Sequence, residues 1–267
     1  MKKLSAFTLA ELLIVITIIA IVAALTLPSL INKYSKKVYV TQLRKEYNYM
    51  VNGFKTLMAS EEVDKLSHTS LWKKIPSDVD SLDTSALLDD EYSDFRSEFQ
   101  KIFKVNGIYS NDSYATSSTG DGAKYIPDYE FLNGSSIGWE TTLAYLADGS
   151  AISFQFDKIP GKFDDSENKN TKFDEWVGSI YIDVNGLKSP NVLGRDAFMF
   201  ALGNDGNLYP LGGTDWAIAF GCSNSGSGFG SCTDYWNSNS SNYACNSSSE
   251  GQGCAARIID EGWEMNY

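Results

Sequence analysis

The sequence is poor in histidine and in positive charge. Its 267 residues include one histidine, His68, and 22 lysines and arginines against 34 aspartates and glutamates, for a formal net charge of −12. A single histidine excludes most histidine-based catalysis and most histidine-rich metal sites. The acidic balance argues against a nucleic-acid partner, because nucleic-acid binders need a basic surface that displaces the counterions of the phosphates.

A common motif of nucleotide binding is missing as well. The chain has no P-loop. A G-x-S-x-G string occurs at residues 134–138, GSSIG, within a chain that has one histidine. The stretch GSGFG at 226–230 lies between cysteines in a serine-rich region rather than between a strand and a helix. Paired carboxylates such as Asp164 and Asp165 stand in a polar segment typical of a solvated loop. We therefore predict that the protein is not an enzyme.

Charge is almost absent from one segment near the N-terminus. The 21 residues from Phe7 to Leu27, FTLAELLIVITIIAIVAALTL, contain one charged side chain. A helix of this length spans roughly 30 Å, the thickness of a bilayer core. Lys2 and Lys3 precede it and orient the N-terminus toward the cytoplasm. A secretory signal would have a shorter apolar run followed by a small-residue cleavage site, so we predict a membrane-spanning helix over residues 7–31.

Glu11 is the one charged residue inside this apolar segment. An unpaired carboxylate in a membrane costs several kcal/mol or stays protonated, so its presence indicates a function. The simpler alternative is an interfacial side chain that reaches the lipid headgroups.

The helical pattern continues past the apolar segment. Apolar residues recur at intervals of three and four, which is typical of one helical face; they are Val40, Leu43, Tyr47, Met50, Val51, Phe54, Leu57 and Met58. We predict one helix from near Phe7 to about Ala59. Its first half is apolar all round, and its second half, residues 32–60, carries a single apolar stripe.

The N-terminal sequence KKLSA-FTLAELLIVITIIAIVAALTLPSL resembles that of type IV pilins and of the pseudopilins of type II secretion systems. The resemblance implies a basic leader, residues 1–6, which a prepilin peptidase removes between Ala6 and Phe7. It also implies methylation of the new amino group of Phe7 and roles in assembly for Glu11, at the fifth mature position, and for Pro28. Ala6 replaces the usual glycine, which predicts slower processing, and Ala10 replaces a bulkier residue.

This resemblance also implies a function, partners and a location. We expect a structural filament subunit that is held in the inner membrane by one span, with its head outside the cytoplasm, before it joins a periplasmic or extracellular filament. The partners would be the prepilin peptidase, copies of the chain or related pilins, and an inner-membrane assembly platform, with no nucleic acid. The amine of Phe7 would pair with Glu11 of a neighbouring subunit, because removal of either buried partner strands the other. The alternative is an anchored adhesin or binding domain that never polymerises.

The head, residues 61–267, mixes helical and strand patterns. Residues 60–90 are polar and predict a loop-rich connection, residues 91–105 predict a short amphipathic helix, and residues 106–122 and 158–171 predict loops. Strand patterns flank Asp148-Gly149 and Asn204-Asp205-Gly206, which are typical of hairpin turns, and a further strand covers residues 178–184. We predict an α+β fold in which the stripe of the long helix covers an antiparallel sheet of four or five strands.

Oxygen-bearing side chains cluster between residues 183 and 205. Asp183, Asn185 and Asp196, together with Asn191 and Asp205, carry the oxygen ligands that calcium prefers. Some secretion pseudopilins bind calcium in a loop of the head. However, the EF-hand spacing is absent, and turn formation by Asn, Asp and Gly is the simpler interpretation. The cofactor prediction is therefore none, with calcium as the alternative.

All four cysteines lie in the last 46 residues, in a stretch rich in serine, asparagine and glycine. Zinc sites normally contain a close pair of cysteines, which is absent here, so we predict two disulfides. Three pairings are possible, and we favour the local one, Cys222 with Cys232 and Cys245 with Cys254. Disulfides indicate an oxidising compartment, in agreement with the predicted orientation. Trp263 and Tyr267 are predicted to dock this disulfide-linked region on the head.

Overall fold

A computed structural model of the chain describes residues 8–110, 126, 128–137, 142–162, 175–215, 235–237 and 243–267. Its helices are α1 (Leu9–Ser60), α2 (Ser70–Lys73), α3 (Ser93–Ile102) and α4 (Cys254–Asp260). Its strands are β1 (Ser81–Asp83), β2 (Val105–Ser110), β3 (Thr142–Leu146), β4 (Ala151–Lys162), β5 (Glu175–Asp183), β6 (Ala197–Gly203) and β7 (Leu208–Pro210). The chain divides into two compact units, Met1–Val38 and Tyr39–Tyr267, which we call the N-terminal unit and the head unit.

The seven strands among the described residues of the head unit form one antiparallel sheet. Strands β2 to β7 lie side by side in chain order, so each pairs with its sequence neighbour. Strand β4 is long enough to pair with β3 near its start, through Ile152 and Ala144, and with β1 further along, through Phe156 and Leu82. Pairing between strands that follow one another in the chain is the common arrangement in sheets.

Glycines at the two predicted hairpin turns adopt the left-handed backbone conformation that these turns require. Gly149 follows Asp148 between β3 and β4 with a φ of 91°, and Gly206 follows Asp205 between β6 and β7 with a φ of 80°. A side chain at Gly206 would also approach the sulfur of Met58 to 2.9 Å. The β6–β7 turn therefore packs directly against the end of α1, where only glycine fits.

The principal hydrophobic core lies between the sheet and the helices of the head unit. Alternate strand residues such as Phe154, Phe156 and Phe200 face it and are at most 3% exposed. Its helical side is formed by α3 and by the stripe of α1, whose buried apolar residues are Val40, Leu43, Met50, Phe54 and Met58. Side chains two apart on a strand, or three to four apart on a helix, lie on the same side of that element. Each element therefore presents one apolar face to this core.

A smaller cluster covers the opposite face of the sheet. It is rich in tyrosine, and its buried members are Ile126, Tyr129, Leu143, Tyr145, Ala151, Tyr181, Leu193 and Ala197. The sheet is thus apolar on both faces, and the segments 128–137 and 184–196 supply residues to the second one. The sequence patterns do not indicate this second layer.

The predicted fold class is confirmed, with corrections in detail. The long N-terminal helix, the antiparallel sheet and a disulfide in the C-terminal region are all present. The predicted four or five strands were too few. β1 and α2 lie in the segment 60–90 that was predicted as loop, residues 106–110 belong to β2, and β4 extends to Lys162. Pairing with neighbouring strands stabilises β1, β2 and the end of β4 in extended form, which their own sequences do not indicate.

Candidate functional site

The N-terminal unit exposes its apolar residues. Between Leu9 and Ile31, large hydrophobic side chains on all sides of α1 are exposed, from 46% at Val15 to 78% at Leu9. Among the described residues, one helix is long and apolar enough to cross a membrane, and it is α1, with a mean hydropathy of 2.7 over its best window. Continuous apolar surface of this size requires cover by lipid or by protein. This segment is therefore the candidate functional site.

Glu11 closes the first turn of α1. Its Oε2 accepts hydrogen bonds from the backbone N and from the hydroxyl of Thr8, each at 2.8 Å, and its own backbone N donates to Thr8 Oγ1 at 3.2 Å. This reciprocal pair is a capping box, in which a threonine and a glutamate three residues later satisfy free N–H groups at a helix start. Glu11 thus has a local role in addition to the predicted one.

Ala6 and Phe7, the predicted cleavage and methylation residues, lie outside the described residues. The amine that cleavage would create at Phe7 is therefore not placed by the structure. Its pairing with Glu11 of a neighbouring subunit stays a prediction.

Pro28 lies inside α1, and the helix continues through it. Proline has no backbone N–H, so the carbonyl of Ala24 loses its usual helical partner at this point. Two threonines on the same segment direct their hydroxyls inward to the backbone: Thr17 donates to Leu13 O at 2.7 Å and Thr26 to Val22 O at 2.9 Å. These bonds hide the polar groups of the threonines, so that the helix surface stays apolar over this length.

The three predicted calcium ligands, Asp183, Asn185 and Asp196, lie at the connection between β5 and β6. Asp183 Oδ1 accepts from the backbone N of Asn185 at 3.0 Å and of Gly186 at 2.8 Å, and its Oδ2 accepts from the Tyr129 hydroxyl. Asp196 accepts from the backbone N atoms of Asn191 and Val192, at 2.9 and 2.7 Å.

All four of these carboxylate oxygens are thus used to hold turns together. Burial raises the pKa of Asp183 to about 7, although the Tyr129 hydrogen bond opposes this shift. Among the described residues, no group of three or more His, Cys, Asp or Glu side chains is placed to hold a metal ion. Asn185 Oδ1 is the one oxygen of the trio that is buried without a hydrogen-bond partner in the described residues. This donor set fits turn formation better than the six to eight oxygen ligands that calcium takes; calcium stays a prediction.

The fifth candidate, Asp205, is not part of this group. It lies in the β6–β7 turn, where it accepts a hydrogen bond from the Tyr209 hydroxyl at 3.0 Å and from the backbone N of Asn207 at 3.0 Å.

The C-terminal region is held by one of the two predicted disulfides. Cys245 and Cys254 are bonded and both nearly fully buried, at a sequence separation of nine. Cys222 and Cys232 lie outside the described residues, so their pairing stays a prediction. The disulfide joins the start of α4 to the preceding loop, and Arg257 of α4 donates to Cys245 O at 2.9 Å.

The last residues dock as predicted. Trp263 packs edge-on against Tyr47 of α1 at 5.7 Å between ring centroids, and the guanidinium of Arg44 lies 5.4 Å from its ring centroid. The Tyr267 hydroxyl donates to Gly194 O at 2.7 Å. Contacts to both α1 and the β5–β6 connection fix the C-terminus on the head unit.

A buried acid also lies at the interface of α1 and the sheet. Glu46 is 2% exposed. Burial, together with its hydrogen bond to Asp148 of the β3–β4 turn, raises its pKa to about 7. Lys45 contacts both carboxyls: Nζ lies 3.2 Å from Glu46 Oε1 and is bonded to Asp148. Burial acts to raise the pKa of Asp148, but hydrogen bonds from Glu46, Lys45 and Ser150 lower it below the usual range.

Sequence reasoning missed two of these features. The spacing Thr8-x-x-Glu11 is a capping-box pattern, and it was available in the sequence as a second role for Glu11. Burial of Glu46 had no such signal, because Glu46 lies beside polar residues of α1 and its partner Asp148 is about a hundred residues away in the sequence.

Comparison with known proteins agrees with the N-terminal features. Residues 1–27 match the family described as the prokaryotic N-terminal methylation motif, which is the prepilin-type cleavage and methylation signature of type IV pilins and pseudopilins. The chain thus carries the N-terminus of a pilin-like or pseudopilin-like protein. No curated protein matches the chain. No solved structure matches it either.

The match covers 27 of 267 residues, so the comparisons reach the N-terminal unit alone. The motif and the apolar helix together fit anchoring in the inner membrane, and the motif implies processing by a prepilin peptidase. The class of proteins with this signature is structural rather than catalytic.

Proposed function

We propose that this chain is a structural subunit of a type IV pilus-like filament or of a type II secretion pseudopilus. In this proposal the prepilin peptidase cuts between Ala6 and Phe7, and Phe7 is methylated. The inner-membrane platform then transfers the subunit into a filament of copies of itself or of related pilins. The head stands outside the cytoplasm throughout.

The observation that carries the proposal is the exposed apolar surface of α1, which begins inside the methylation motif and extends a few residues beyond it. A helix that is apolar on every side needs an apolar environment on every side. Lipid supplies it while the subunit waits in the membrane, and the same helix of other subunits can supply it in a filament core. Both environments suit Leu9–Ile31 without any change in the helix itself.

Glu11 has two ways to satisfy its carboxylate in this scheme. In the single chain it caps α1 through Thr8, and in a filament it would accept the methylated amine of a neighbouring Phe7. An ion pair in apolar surroundings enforces register, because a displaced subunit would leave both charges unpaired.

Mass spectrometry of the mature N-terminus tests the proposal. The expected result is a chain that begins at Phe7 and carries a methyl group on its amine. A chain that still begins at Met1 would contradict the proposal and favour an anchored adhesin that does not polymerise. Variant Ala6→Gly restores the usual residue before the cut and is expected to raise the processed fraction.

Two substitutions separate the roles of Glu11. Glu11→Leu removes both the cap and the proposed ion pair, so filament assembly should be lost. Thr8→Ala removes the capping hydroxyl and leaves the carboxylate, and assembly should continue. Normal filaments from Glu11→Leu would show that no such pair forms.

The choice between pilus and pseudopilus is open to a separate experiment. A strain that lacks the gene is examined by electron microscopy for surface filaments and by an assay of secreted proteins. Loss of filaments supports a pilus, and loss of secretion supports a pseudopilus.

A further inference from the structure

Three side chains meet where the long helix ends and the β6–β7 turn begins. Lys65 lies after α1, Glu175 is the first residue of β5, and Asn204 directly follows β6. Lys65 Nζ donates to Glu175 Oε2 at 3.0 Å, and Asn204 Nδ2 donates to the same oxygen at 2.6 Å. One carboxylate oxygen of Glu175 therefore accepts hydrogen bonds from both an amine and a carboxamide.

The carboxamide of Asn204 is held in place from several sides. The backbone N of Ser67 donates to Asn204 Oδ1 at 2.9 Å. Both backbone groups of Asn204 are hydrogen-bonded as well. Its carbonyl oxygen accepts from Leu66 N at 2.8 Å, and its N–H donates to Glu175 O at 2.9 Å. Asn204 is 3% exposed, so its carboxamide is shielded from water as well as fixed in orientation.

The charged partners are less buried than the amide. The Glu175 side chain is 17% exposed and that of Lys65 is 41% exposed. The lysine tip therefore has room to turn from the carboxylate toward the neighbouring Cγ of Asn204, whereas Glu175 and Asn204 stay in position. Held reactants of this kind react as if at very high concentration, provided that the attacking atom reaches about 3–3.5 Å from its target.

We propose that Lys65 and Asn204 join in an intramolecular isopeptide bond and that Glu175 is the catalytic residue that moves the protons. The Lys65 ammonium gives a proton to Glu175, and the neutral Nζ attacks Cγ of Asn204. Negative charge develops on Oδ1, where the Ser67 N–H stabilises it as an oxyanion donor does.

Protons and atoms balance without any further reagent. Glu175 passes its proton to Nδ2 and takes another from Nζ, the Cγ–Nδ2 bond breaks, and ammonia leaves. Ammonia then takes the proton from Glu175 and departs as ammonium, which restores the carboxylate. The products are one amide bond between Nζ and Cγ and one ammonium ion, and no oxidant or cofactor is needed.

A neighbouring lysine shows why the shared oxygen matters. Lys55 Nζ donates to the backbone O of Asp205 at 2.5 Å, one residue from Asn204, but this contact supplies neither a carboxylate nor a leaving amide. Lys55 is therefore the matched control for Lys65. The bond would tie the end of α1 to the sheet across a large part of the head unit, and it does not depend on filament formation.

The test is peptide mapping of the purified full chain in detergent, after reduction of its disulfides. The expected product is a branched peptide that joins Lys65 to Asn204, in a chain lighter than its sequence mass by one ammonia. The reduced chain should also run faster on a denaturing gel than a Lys65→Arg variant. Lys65→Arg and Glu175→Gln should lose the branched peptide, whereas Lys55→Arg should keep it.

Recovery of the Lys65 and Asn204 peptides as separate linear species from the wild-type chain would overturn the proposal. Loss of ammonia that persists in Lys65→Arg would overturn it as well, because a succinimide at Asn204-Asp205 loses the same mass without any cross-link. A branched peptide that survives in Glu175→Gln would remove Glu175 from the reaction.

Discussion

The two units of this chain use apolar residues in opposite ways. In the N-terminal unit, Ile19 is 61% exposed, and its neighbours on all sides of α1 are exposed as well. In the head unit, Phe99 of α3 is 1% exposed and packs against Phe103 and Phe154, with ring centroids 5.0 and 4.8 Å away. Burial of apolar side chains stabilises the fold of the head unit. In the N-terminal unit the apolar side chains are exposed, so the helix requires lipid or protein around it.

The largest expected effect comes from the head core. Phe99→Ala removes a ring that contacts several others and leaves a cavity, so the free energy of unfolding should fall by about 3–5 kcal/mol. Ile19→Ala is the control from the other unit. It should leave the unfolding transition of the head unchanged, because Ile19 has little to lose from its present contacts. Chemical denaturation of the full chain in detergent, followed by tryptophan fluorescence, measures both.

Equal destabilisation by the two variants would contradict this comparison. It would show that the N-terminal unit also contributes to the stability of the head. Conversely, Ile19→Ala should affect membrane retention or assembly. Phe99→Ala should affect neither of them as long as the head stays folded.

The next effect concerns the disulfide. Replacement of both Cys245 and Cys254 by alanine frees a short loop in the unfolded chain. The chain-entropy argument for a loop of this size gives a loss of about 2–3 kcal/mol. Thermal unfolding with and without reductant measures it, and a reductant should lower the melting temperature of the wild-type chain. No change on either treatment would mean that the bond contributes nothing to the stability of the head.

A smaller effect is expected from pH. The pKa of Glu46 is about 7 in the folded chain, above its ordinary value of 4.5, because the side chain is buried beside Asp148. The folded state therefore holds the Glu46 proton more tightly than the unfolded state. This contribution to stability is complete below pH 4.5 and is lost as the pH rises through 7.

Glu46→Gln removes this titration while it keeps a hydrogen-bond donor toward Asp148. We expect the variant to be more stable than the wild-type chain at pH 8 by about 1–2 kcal/mol. This value is smaller than the full linkage because the same contact lowers the pKa of Asp148, so that part of the shift belongs to the pair. Asp183 titrates in the same range and is present in both proteins, so the difference between the two pH profiles isolates Glu46. Parallel profiles would contradict the assignment.

The smallest expected effect is that of calcium removal. The carboxylates of Asp183 and Asp196 already accept hydrogen bonds from backbone N–H groups and from Tyr129. Chelation should therefore leave the melting temperature of the head unchanged. A rise on addition of calcium that is lost in Asp196→Asn would instead support the metal prediction.

Much of the architecture could be predicted from local sequence patterns. The period of the apolar residues predicted α1 and its stripe, and Asp148-Gly149 and Asn204-Asp205-Gly206 predicted both hairpins. These features succeed because each depends on residues that are close in sequence. β1 and β2 were missed, because partners far along the chain hold their residues in extended form.

The candidate site divides in the same way. The motif around Phe7 and Glu11 was evident in the sequence, whereas the second role of Glu11 became clear only from its bonds to Thr8. The predicted calcium trio proved to be adjacent in space, yet three of its four carboxylate oxygens face backbone N–H groups and the fourth faces the Tyr129 hydroxyl. Ligand type could be read from the sequence, but the direction of each oxygen could not.

The sequence by itself determined the membrane-spanning apolar helix, the methylation motif and the acidic head, because composition and short-range periodicity suffice for each. Only the tertiary structure decided which groups meet: Glu46 with Asp148, Trp263 with Arg44, and Lys65 with Glu175 and Asn204. These contacts join residues far apart in the chain. Their geometry depends on how the sheet and helices of the head pack together, which local sequence does not encode.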